Sequence, residues 1–383
     1  MKVEQVYEIV NTMTKEFIGD SIVVKEDLSN VVDIGSAVIN LDNLDKYIGS
    51  LVDQIAVVRF VDRPYLSKVP SLYVEAWEYG AIMEKITMDE LPEAEINDTW
   101  NLSNGQSYDP NIFTAPKASA KFFSKKDTYD IPMSFAKRQV EMAFRSPQEL
   151  NAFFSMIETW VQTSMTVKID KLGMAALNNM IALAVDSALS NQAVNLLPLY
   201  NATVSTPIQA ADTMHHPGFL RFASYVMGLY VDRIQVLSKL FNIGGKERFT
   251  PKERLHMILL SEFARASEAY LESDTYHNQF VKLPEGDTVP FWQGSGTDYG
   301  FASTSKIHVQ ANDGTAGGKE VEASGILGVM FDRWAVGIAN LDRRVTTQWN
   351  GKAEFYNNWY KFDAGYFNDT NENFVVFYVA DTN

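Results

Sequence analysis

Residues 326–362 read ILGVMFDRWAVGIANLDRRVTTQWNGKAEFYNNWYKF and carry the strongest β-structure signal in this chain of 383 residues. Three runs of apolar and β-branched residues predict strands, and a ladder of aromatic residues follows a charged Asp-Arg-Arg step. No constellation of catalytic groups accompanies them. So much β-structure beside so little chemistry is more typical of a building block than of an enzyme.

The composition is that of a globular protein, with 46% hydrophobic and 21% charged residues. The absence of cysteine excludes disulfides, thiolate metal sites and cysteine nucleophiles. The sequence offers neither a bilayer-spanning apolar run nor a signal-peptide pattern, so we expect folding in the cytoplasm and no membrane partner. A net charge of -15 argues against a nucleic-acid-binding groove.

The N-terminal segment has the pattern of a helix followed by an arm. Apolar residues at helical spacing predict a helix over 3–17 that ends at Gly19. Residues 20–44 mix short apolar runs with Asp, Ser and Asn, which predicts an extended arm. A short amphipathic helix is predicted over 44–55 and a strand over 56–61.

The next segment has the pattern of a long projecting hairpin. Residues 71–87 and 117–135 are strand-like, and the 29 residues between them, 88–116, lack periodicity. Such a long loop is usually functional or disordered. Residues 88–116 carry six acids and no Lys or Arg, whereas 117–138 carry six Lys or Arg and two Asp. These charges are either two solvated faces or a surface that meets a neighbouring subunit, where complementary charge sets the register.

The sequence SPQEL at 146–150 is the clearest helix start in the chain. Ser146 has the place of an N-cap, Pro147 the first helical position and Glu149 the third. The apolar pattern continues to about Val185, which predicts one helix of about 40 residues and ~60 Å.

Beyond residue 206, alternating elements predict a mixed α/β lobe. The pattern indicates a helix over 218–242, a buried strand over 254–260 and a second helix beginning at Ser261. The Gly-rich residues 311–320 predict a surface turn before the terminal strands.

The short motifs that suggest an active site all fail. The Gly-Lys steps at Lys246 and Lys319 lack the upstream Gly and the following Ser or Thr of a phosphate-binding loop. The sequence GQSYD at 105–109 lacks the second Gly of a nucleophile elbow.

Single titratable residues have simpler structural interpretations. His215 and His216 are adjacent before a proline and fit a helix cap better than a metal site. His256 lies in an apolar strand and fits a hydrogen-bonded core residue. Glu93 and Glu95 could act as an acid–base pair only if burial separated their pKa values, which a polar loop does not favour. We therefore expect no catalytic residue, no metal ligand and no cofactor site, and no enzymatic activity.

The terminal strands carry a family resemblance. GVMFDRWAVGIANLDRRVTTQWN at 328–350, with its acidic step at Asp332 and a charged turn at Asp342, Arg343 and Arg344, resembles the closing pattern of Hong Kong 97-type major capsid proteins of tailed phages. The following AEFYNNWYKFDAGYF and NFVVFYVA resemble the last strands of that fold. The order of the elements, more than any one motif, carries the resemblance.

Three further stretches resemble one branch of that family. NVVDIGSAVINLDNLDKYIGSLVDQIAVVRFV at 30–61, YGAIMEKI at 79–86 and SPQELNAFFSMIETW at 146–160 are similar to capsid proteins of short-tailed, protein-primed (Picovirinae-type) phages. The resemblance thus extends over nearly the whole chain.

The resemblance implies an α+β fold with an N-terminal arm, an extended β-hairpin called the E-loop, a long spine helix and a mixed α/β axial domain. The implied division is an N-terminal arm at 1–40, the start of the peripheral domain at 41–71, the E-loop at 72–133, the peripheral domain with the spine helix (147–188) at 134–205, the axial domain at 206–325, and return strands of both domains at 326–383.

The resemblance further implies a major capsid protein that assembles into hexamers and pentamers of an icosahedral or prolate head enclosing double-stranded DNA. The expected partners are further copies of the chain through the E-loop and the N-terminal arm, a separate scaffolding protein, the portal protein, and DNA packaged without sequence-specific binding. A separate scaffold is expected because no room precedes the arm for a scaffolding segment. The expected location is the virion, after assembly in the host cytoplasm.

Three alternatives remain open at this point. An encapsulin-like nanocompartment shell protein has the same fold but usually a shorter loop. An intracellular carbohydrate-binding or carbohydrate-active protein would explain the acidity and the aromatic residues, and requires paired carboxylates in an aromatic cleft. A metal-dependent hydrolase would have to use His215 and His216.

Overall fold

The computed structural model describes residues 3–18, 24–39, 69–74, 83–88, 94, 96–109, 111–112, 115, 117–123, 126–143, 145–187, 191–272, 286–292, 306–311 and 318–381. The chain forms two compact units, and each is described by itself. Unit 1 comprises Met1–Ser67, Lys126–Leu172 and Ile338–Gly365; unit 2 comprises Lys68–Lys125, Gly173–Gly337 and Tyr366–Asn383.

Helices and strands are mixed along the chain, as expected for the α+β class. The α-helices of the described residues are α1 (Val3–Ile18), α2 (Val31–Ile39), α3 (Lys137–Ala143), α4 (Pro147–Asp186), α5 (Leu196–Asn201), α6 (Pro217–Arg233) and α7 (Ser261–Glu272). The strands are β1 (Met83–Met88), β2 (Ala118–Phe123), β3 (Lys126–Ala136), β4 (Ala193–Asn195), β5 (Leu255–Leu260), β6 (Asp287–Val289), β7 (Lys306–Ala311), β8 (Lys319–Ser324), β9 (Ile326–Asp332), β10 (Val336–Asn350), β11 (Phe355–Asn368) and β12 (Phe374–Tyr378).

Unit 1 is built on a three-stranded sheet in the order β10–β11–β3. Strands β11 and β3 pair antiparallel from Phe355 opposite Ala136 to Gly365 opposite Lys126. The sheet and the helices share one apolar core, which includes an aromatic pair, Phe135 and Phe153, with ring centroids 5.5 Å apart. The buried members of this core are Val6, Val10, Met13, Val24, Leu28, Val31, Ile34, Phe135, Val140, Leu150, Phe153, Phe154, Ile157, Val161, Tyr356 and Tyr360.

The N-terminal segment is more helical than the sequence pattern predicts. The helix predicted over 3–17 is confirmed as α1, but the extended arm predicted over 20–44 is wrong at α2. There Val31 and Ile34 are fully buried, so helical spacing places both in the core of unit 1. The helix predicted over 44–55 and the strand predicted over 56–61 lie outside the described residues.

The long helix α4 has the bounds that the sequence indicates. It begins at Pro147, extends over 40 residues and ends at Asp186. The Ser146 carbonyl accepts the first hydrogen bond, from Leu150 N at 3.0 Å, which fits the predicted N-cap position. Gly173 lies inside the helix and does not end it.

Unit 2 contains a five-stranded sheet in the order β4–β12–β9–β5–β6. Strand β9 is at its centre, and all seven of its residues are buried, as expected for a strand covered on both faces. The edge strands β4 and β6 have three residues each, which limits the edge available for unwanted pairing. Trp292 is fully buried, and its Nε1 donates to the carbonyl of Ile326 at 2.7 Å, so the polar group of this large side chain is satisfied.

Three predicted boundaries differ from the observed ones. The helix predicted over 218–242 ends at Arg233, because the carbonyl of Ile234 accepts from Thr250 N at 2.9 Å and Ser238 pairs with Arg248 in a β-bridge. The apolar residues that extended the helical pattern lie on this non-helical segment.

The strand predicted from residue 71 begins as a 3-10 helix, Pro70–Leu72, and its described strand is β1. The charged turn predicted at Asp342 to Arg344 is instead part of β10, because Arg344 pairs with Asp363 of the neighbouring β11 at 3.1 Å.

Within the described part of the chain, no helix is sufficiently long and apolar to cross a membrane.

Candidate interaction site: the hairpin and its base

Strands β1 and β2 form an antiparallel hairpin, with Met83 opposite Phe123 and Met88 opposite Ala118. Its side-chain pattern is the reverse of an ordinary surface hairpin. Lys85 and Lys121 lie on the half-buried face, whereas Ile86 and Phe122 are 69% and 61% exposed. A hairpin that turns its lysines inward and its apolar side chains outward presents an uncovered contact surface.

The loop that joins the two strands carries further exposed apolar side chains. Ile96, Trp100 and Ile112 are 88%, 87% and 75% exposed. Local hydrogen bonds shape the loop: Thr99 N donates to Asn97 Oδ1 at 3.2 Å, and Gln106 N donates to the Ser103 carbonyl at 3.0 Å. Single exposed apolar residues are ordinary, but several large ones on one loop indicate an interaction site.

The base of the hairpin is held by an ion cluster inside unit 2. Lys85 Nζ lies 2.7 Å from Asp369 Oδ2 and 2.6 Å from Glu372 Oε1, and Lys121 Nζ lies 2.9 Å from Asp369 Oδ1. Both hairpin strands therefore contact the turn between β11 and β12. Asp369 is 1% exposed and Glu372 is 8% exposed, so these pairs are little screened by solvent.

The pKa values of Asp369 and Glu372 are shifted in opposite directions. Burial alone raises the pKa of Asp369, but the charges and hydrogen bonds of Lys85 and Lys121 outweigh it and hold the pKa below its ordinary value. Burial dominates at Glu372 and raises its pKa, although Lys85 opposes the rise. Asp332 adds to this rise by its negative charge. Asp369 is thus the fixed anion of the cluster, and Glu372 is the group that protonates first.

Arg248 connects a third segment to the hairpin. Its Nη1 donates to the carbonyl of Met88 at 2.9 Å, and its Nε lies 3.6 Å from Glu372 Oε1. The same Nη1 donates to the carbonyl of Glu247 at 2.8 Å. The end of β1 is therefore fixed by an arginine that is also part of the ion cluster.

A cleft of about 620 Å³ lies between β1 and the segment 237–254, with Trp334 in its lining. Asp332 and Glu372 also line it and give paired carboxylates beside an aromatic residue, which is the arrangement that the carbohydrate alternative requires. However, Asp332 accepts from Thr250 Oγ1 and from Trp334 N, each at 2.9 Å, and Glu372 is paired with Lys85. These acids are occupied by structural contacts, so the cleft does not favour the carbohydrate alternative.

The histidines have structural positions. His216 caps α6, with Nδ1 accepting from Phe219 N at 3.2 Å, which confirms the helix-cap interpretation. His215 ends a 3-10 helix, and the described residues contain no group of three potential metal ligands. His256 is half-buried beside Phe331 rather than in the core, and burial lowers its pKa. Glu93 and Glu95 lie outside the described residues.

Sequence patterns find the hairpin but miss its base. Asp369, Glu372 and Arg248 stand in polar stretches that indicate only turns. Their partners are remote: 284 residues separate Lys85 from Asp369. A signal exists only in the alternation of β2, where Lys121 has the inward position that an apolar residue would normally occupy.

A family model matches nearly the whole chain. The family model described as Phi29-like phage major capsid protein matches residues 7–378. A comparison with curated protein sequences gives no significant match. A chain in the capsid structure of Staphylococcus phage Andhra is 10% identical, with a TM-score of 0.54, and the match covers 83% of this chain and 86% of that chain.

A second solved structure has the same fold. A chain in the structure of head fiber and inner core protein gp22 of native bacteriophage P68 is 10% identical, with a TM-score of 0.50, covering 84% of this chain and 86% of that chain. At this identity the likeness concerns the fold alone, which is of the Hong Kong 97 type. The family match extends over nearly the whole sequence, and the chain therefore belongs to the Phi29-like phage major capsid proteins, the shell proteins of phage heads.

Proposed function

We propose that copies of this chain assemble into hexamers and pentamers that close an icosahedral or prolate head around double-stranded DNA. We also place the chain nearest to the capsid proteins of short-tailed, protein-primed phages, which the description of the matched family supports. The observation that carries the proposal is the uncovered apolar surface of the hairpin, where Ile86, Phe122 and Trp100 are all more than half exposed.

A neighbouring subunit that covers this surface gains substantial free energy. An aromatic side chain buries on the order of 150–250 Å², so Trp100 and Phe122 would each contribute roughly 3–5 kcal/mol before the costs of association. Because the same contact repeats at every subunit of a ring, a modest interface is sufficient to stabilise a shell.

The regions of the chain take the roles that the fold suggests. The hairpin, within 72–133, is the E-loop that lies on a neighbour, and α4 is the spine helix. The lobe at 206–325 is the axial domain, which would lie around the five-fold and six-fold axes. The N-terminal segment 1–40 is the arm. Since α1 buries Val6, Val10 and Met13 in its own unit, contact of the arm with a neighbour would use its outward face.

The other partners follow from the role of a shell. A net charge of -15 suits a wall that encloses DNA without adhering to it, because binding to phosphates depends on Lys and Arg. A separate scaffolding protein would direct closure in the host cytoplasm, and a portal protein would occupy one vertex of the finished virion.

Replacing the exposed apolar residues of the loop tests this proposal. The variant I96S/W100S/I112S should remain folded, since these side chains contribute little to the core, and should fail to form shells when coexpressed with the scaffolding protein. The matched control is N101S/N104S/S107A, which changes three polar residues of the same loop. Sedimentation velocity and circular dichroism separate loss of assembly from loss of folding. Normal shells from the apolar variant would contradict the assigned role of the hairpin.

A further inference from the structure

The cleft at the base of the hairpin has an apolar mouth. Ile86 and Met88 of β1 line one side and are 69% and 44% exposed; Leu237 and Phe249 line the other side and are 40% and 55% exposed. Uncovered side chains on both sides of a cleft of about 620 Å³ form a receptor for an apolar group rather than a solvated surface.

The segment that forms one side of the cleft is basic. Residues 239–254 carry five Lys or Arg and two Glu, a net charge of +3. Lys252 and Arg254 are exposed beside the cleft. Arg248 lines it, and its Nη2 atom is buried without a hydrogen-bond partner among the residues that the structure describes. A buried guanidinium group with spare donor capacity favours an acidic partner.

The acids that line the cleft do not cancel this preference. Asp332 and Glu372 are held by Thr250 and by Lys85. Glu247 lies 3.6 Å from Lys239. Glu84 lies on the same exposed face of β1 as Ile86 and Met88 and opposes the basic segment with a single charge.

We propose that this cleft receives the hairpin loop, residues 96–112, of a second copy of the chain. This inference rests on the proposed function and extends it by naming the receiving surface. The loop complements the cleft. Its exposed Ile96 and Trp100 suit the apolar mouth, and it belongs to a segment, 88–116, that has six acids and no Lys or Arg. Residues 96–112 themselves carry Asp98 and Asp109, a net charge of -2, which is attracted to the +3 of residues 239–254 and sets the register.

The geometry of such a contact leads to rings. The donating loop and the receiving cleft are different surfaces of one subunit, so each copy donates to one neighbour and receives from another. Head-to-tail contacts of this kind close into rings when the rotation between neighbours permits it, which is the arrangement that hexamers and pentamers require.

Crosslinking tests the contact directly, because the chain contains no cysteine. Shells of the variant I96C/L237C should give a ladder of covalent oligomers with a short bis-maleimide on a denaturing gel. The control I96C/L199C places the second thiol on Leu199, which is 46% exposed on α5, and should give none. If the double variant does not assemble, mixed shells of the two single variants should give a covalent dimer, because each copy then carries one thiol.

A charge exchange gives an independent test. The variant K252E/R254E should raise the protein concentration needed for assembly by roughly tenfold, equivalent to 1.4 kcal/mol, and the further change D109K should recover part of this loss. If I96C/L237C forms shells that give no crosslink, or if K252E/R254E assembles normally, the cleft is not the receiving surface, while the shell function stands. Failure of the wild-type chain to form shells would contradict the proposed function itself.

Discussion

Lys85 of the hairpin and Asp369 of the turn between β11 and β12 lie 284 residues apart in the sequence and form an ion pair of 2.7 Å. The pair connects the projecting hairpin to a turn beside the central sheet of unit 2. Because Asp369 is 1% exposed, its charge requires a partner, and the hairpin supplies two, Lys85 and Lys121. These ion pairs therefore hold both hairpin strands to the turn.

Removing the charge of Lys85 should destabilise unit 2. In Lys85→Met the apolar stem is kept and Asp369 retains Lys121, so we expect a loss of about 1–3 kcal/mol in the free energy of unfolding. Urea denaturation of the unassembled subunit measures it. Lys352→Met, at an exposed lysine of the β10–β11 turn, should change stability by less than about 0.5 kcal/mol. Equal effects of the two substitutions would contradict the structural role of the cluster.

Glu372 should make the protein less stable as the pH rises. Its pKa is raised in the folded state, chiefly by burial, so the folded protein binds the proton more tightly and loses stability when Glu372 ionises. Glu372→Gln removes this loss. We expect the melting temperature of Glu372→Gln, relative to wild type, to be higher at pH 7.5 than at pH 4.5. The opposite trend would mean that the carboxylate stabilises the cluster as an anion.

Asp363 in unit 1 should affect stability in the opposite sense to Glu372, so that its contribution is lost as the pH falls. Burial alone raises its pKa, but hydrogen bonds from Arg344 and Thr128 and the charge of Arg344 outweigh burial and lower it. Its contribution is present above the unfolded pKa of about 3.9 and is lost as the pH falls through the lower folded value. Asp363→Asn should therefore be less stable than wild type at pH 7, and the gap should narrow towards pH 3. Urea denaturation at both pH values measures the gap, and a constant gap would show that no titration is involved.

Two glycines with positive φ form a matched pair. Gly325 has φ +68°, and a Cβ atom there would lie 2.1 Å from the carbonyl oxygen of Val379; Gly105 has φ +92° and nothing within 4 Å. Alanine at Gly105 should cost only the left-handed strain, about 1–2 kcal/mol. Gly325→Ala must also displace backbone, so we expect a loss of more than about 3 kcal/mol. Thermal unfolding compares them, and similar losses would contradict the close approach at Gly325.

The sequence predicts those parts of the fold that depend on local periodicity. The long helix from Pro147 and the hairpin strands are of this kind, because capping residues and alternation act within a few positions. The end of α6 at Arg233 cannot be predicted in this way. It depends on a remote hydrogen bond, which the backbone N–H of Thr250 donates to the carbonyl of Ile234. Apolar spacing at Leu237 therefore gives the wrong element.

The candidate site is only partly visible in the sequence for the same physical reason. The acidic loop and its apolar residues stand together in the chain, so composition indicates them. The ion cluster brings Lys85, Arg248 and Glu372 together from three distant segments, and a single sequence contains no information on such pairs. The inward face of Lys121 becomes meaningful only when its partner Asp369 is seen.

Electron microscopy of the chain coexpressed with its scaffolding protein tests the central claim most directly. The account predicts closed shells, or rings of five and six subunits, in which residues 83–123 of each copy lie on a neighbour. A stable 43.1 kDa monomer at high concentration in the presence of the scaffold would contradict it.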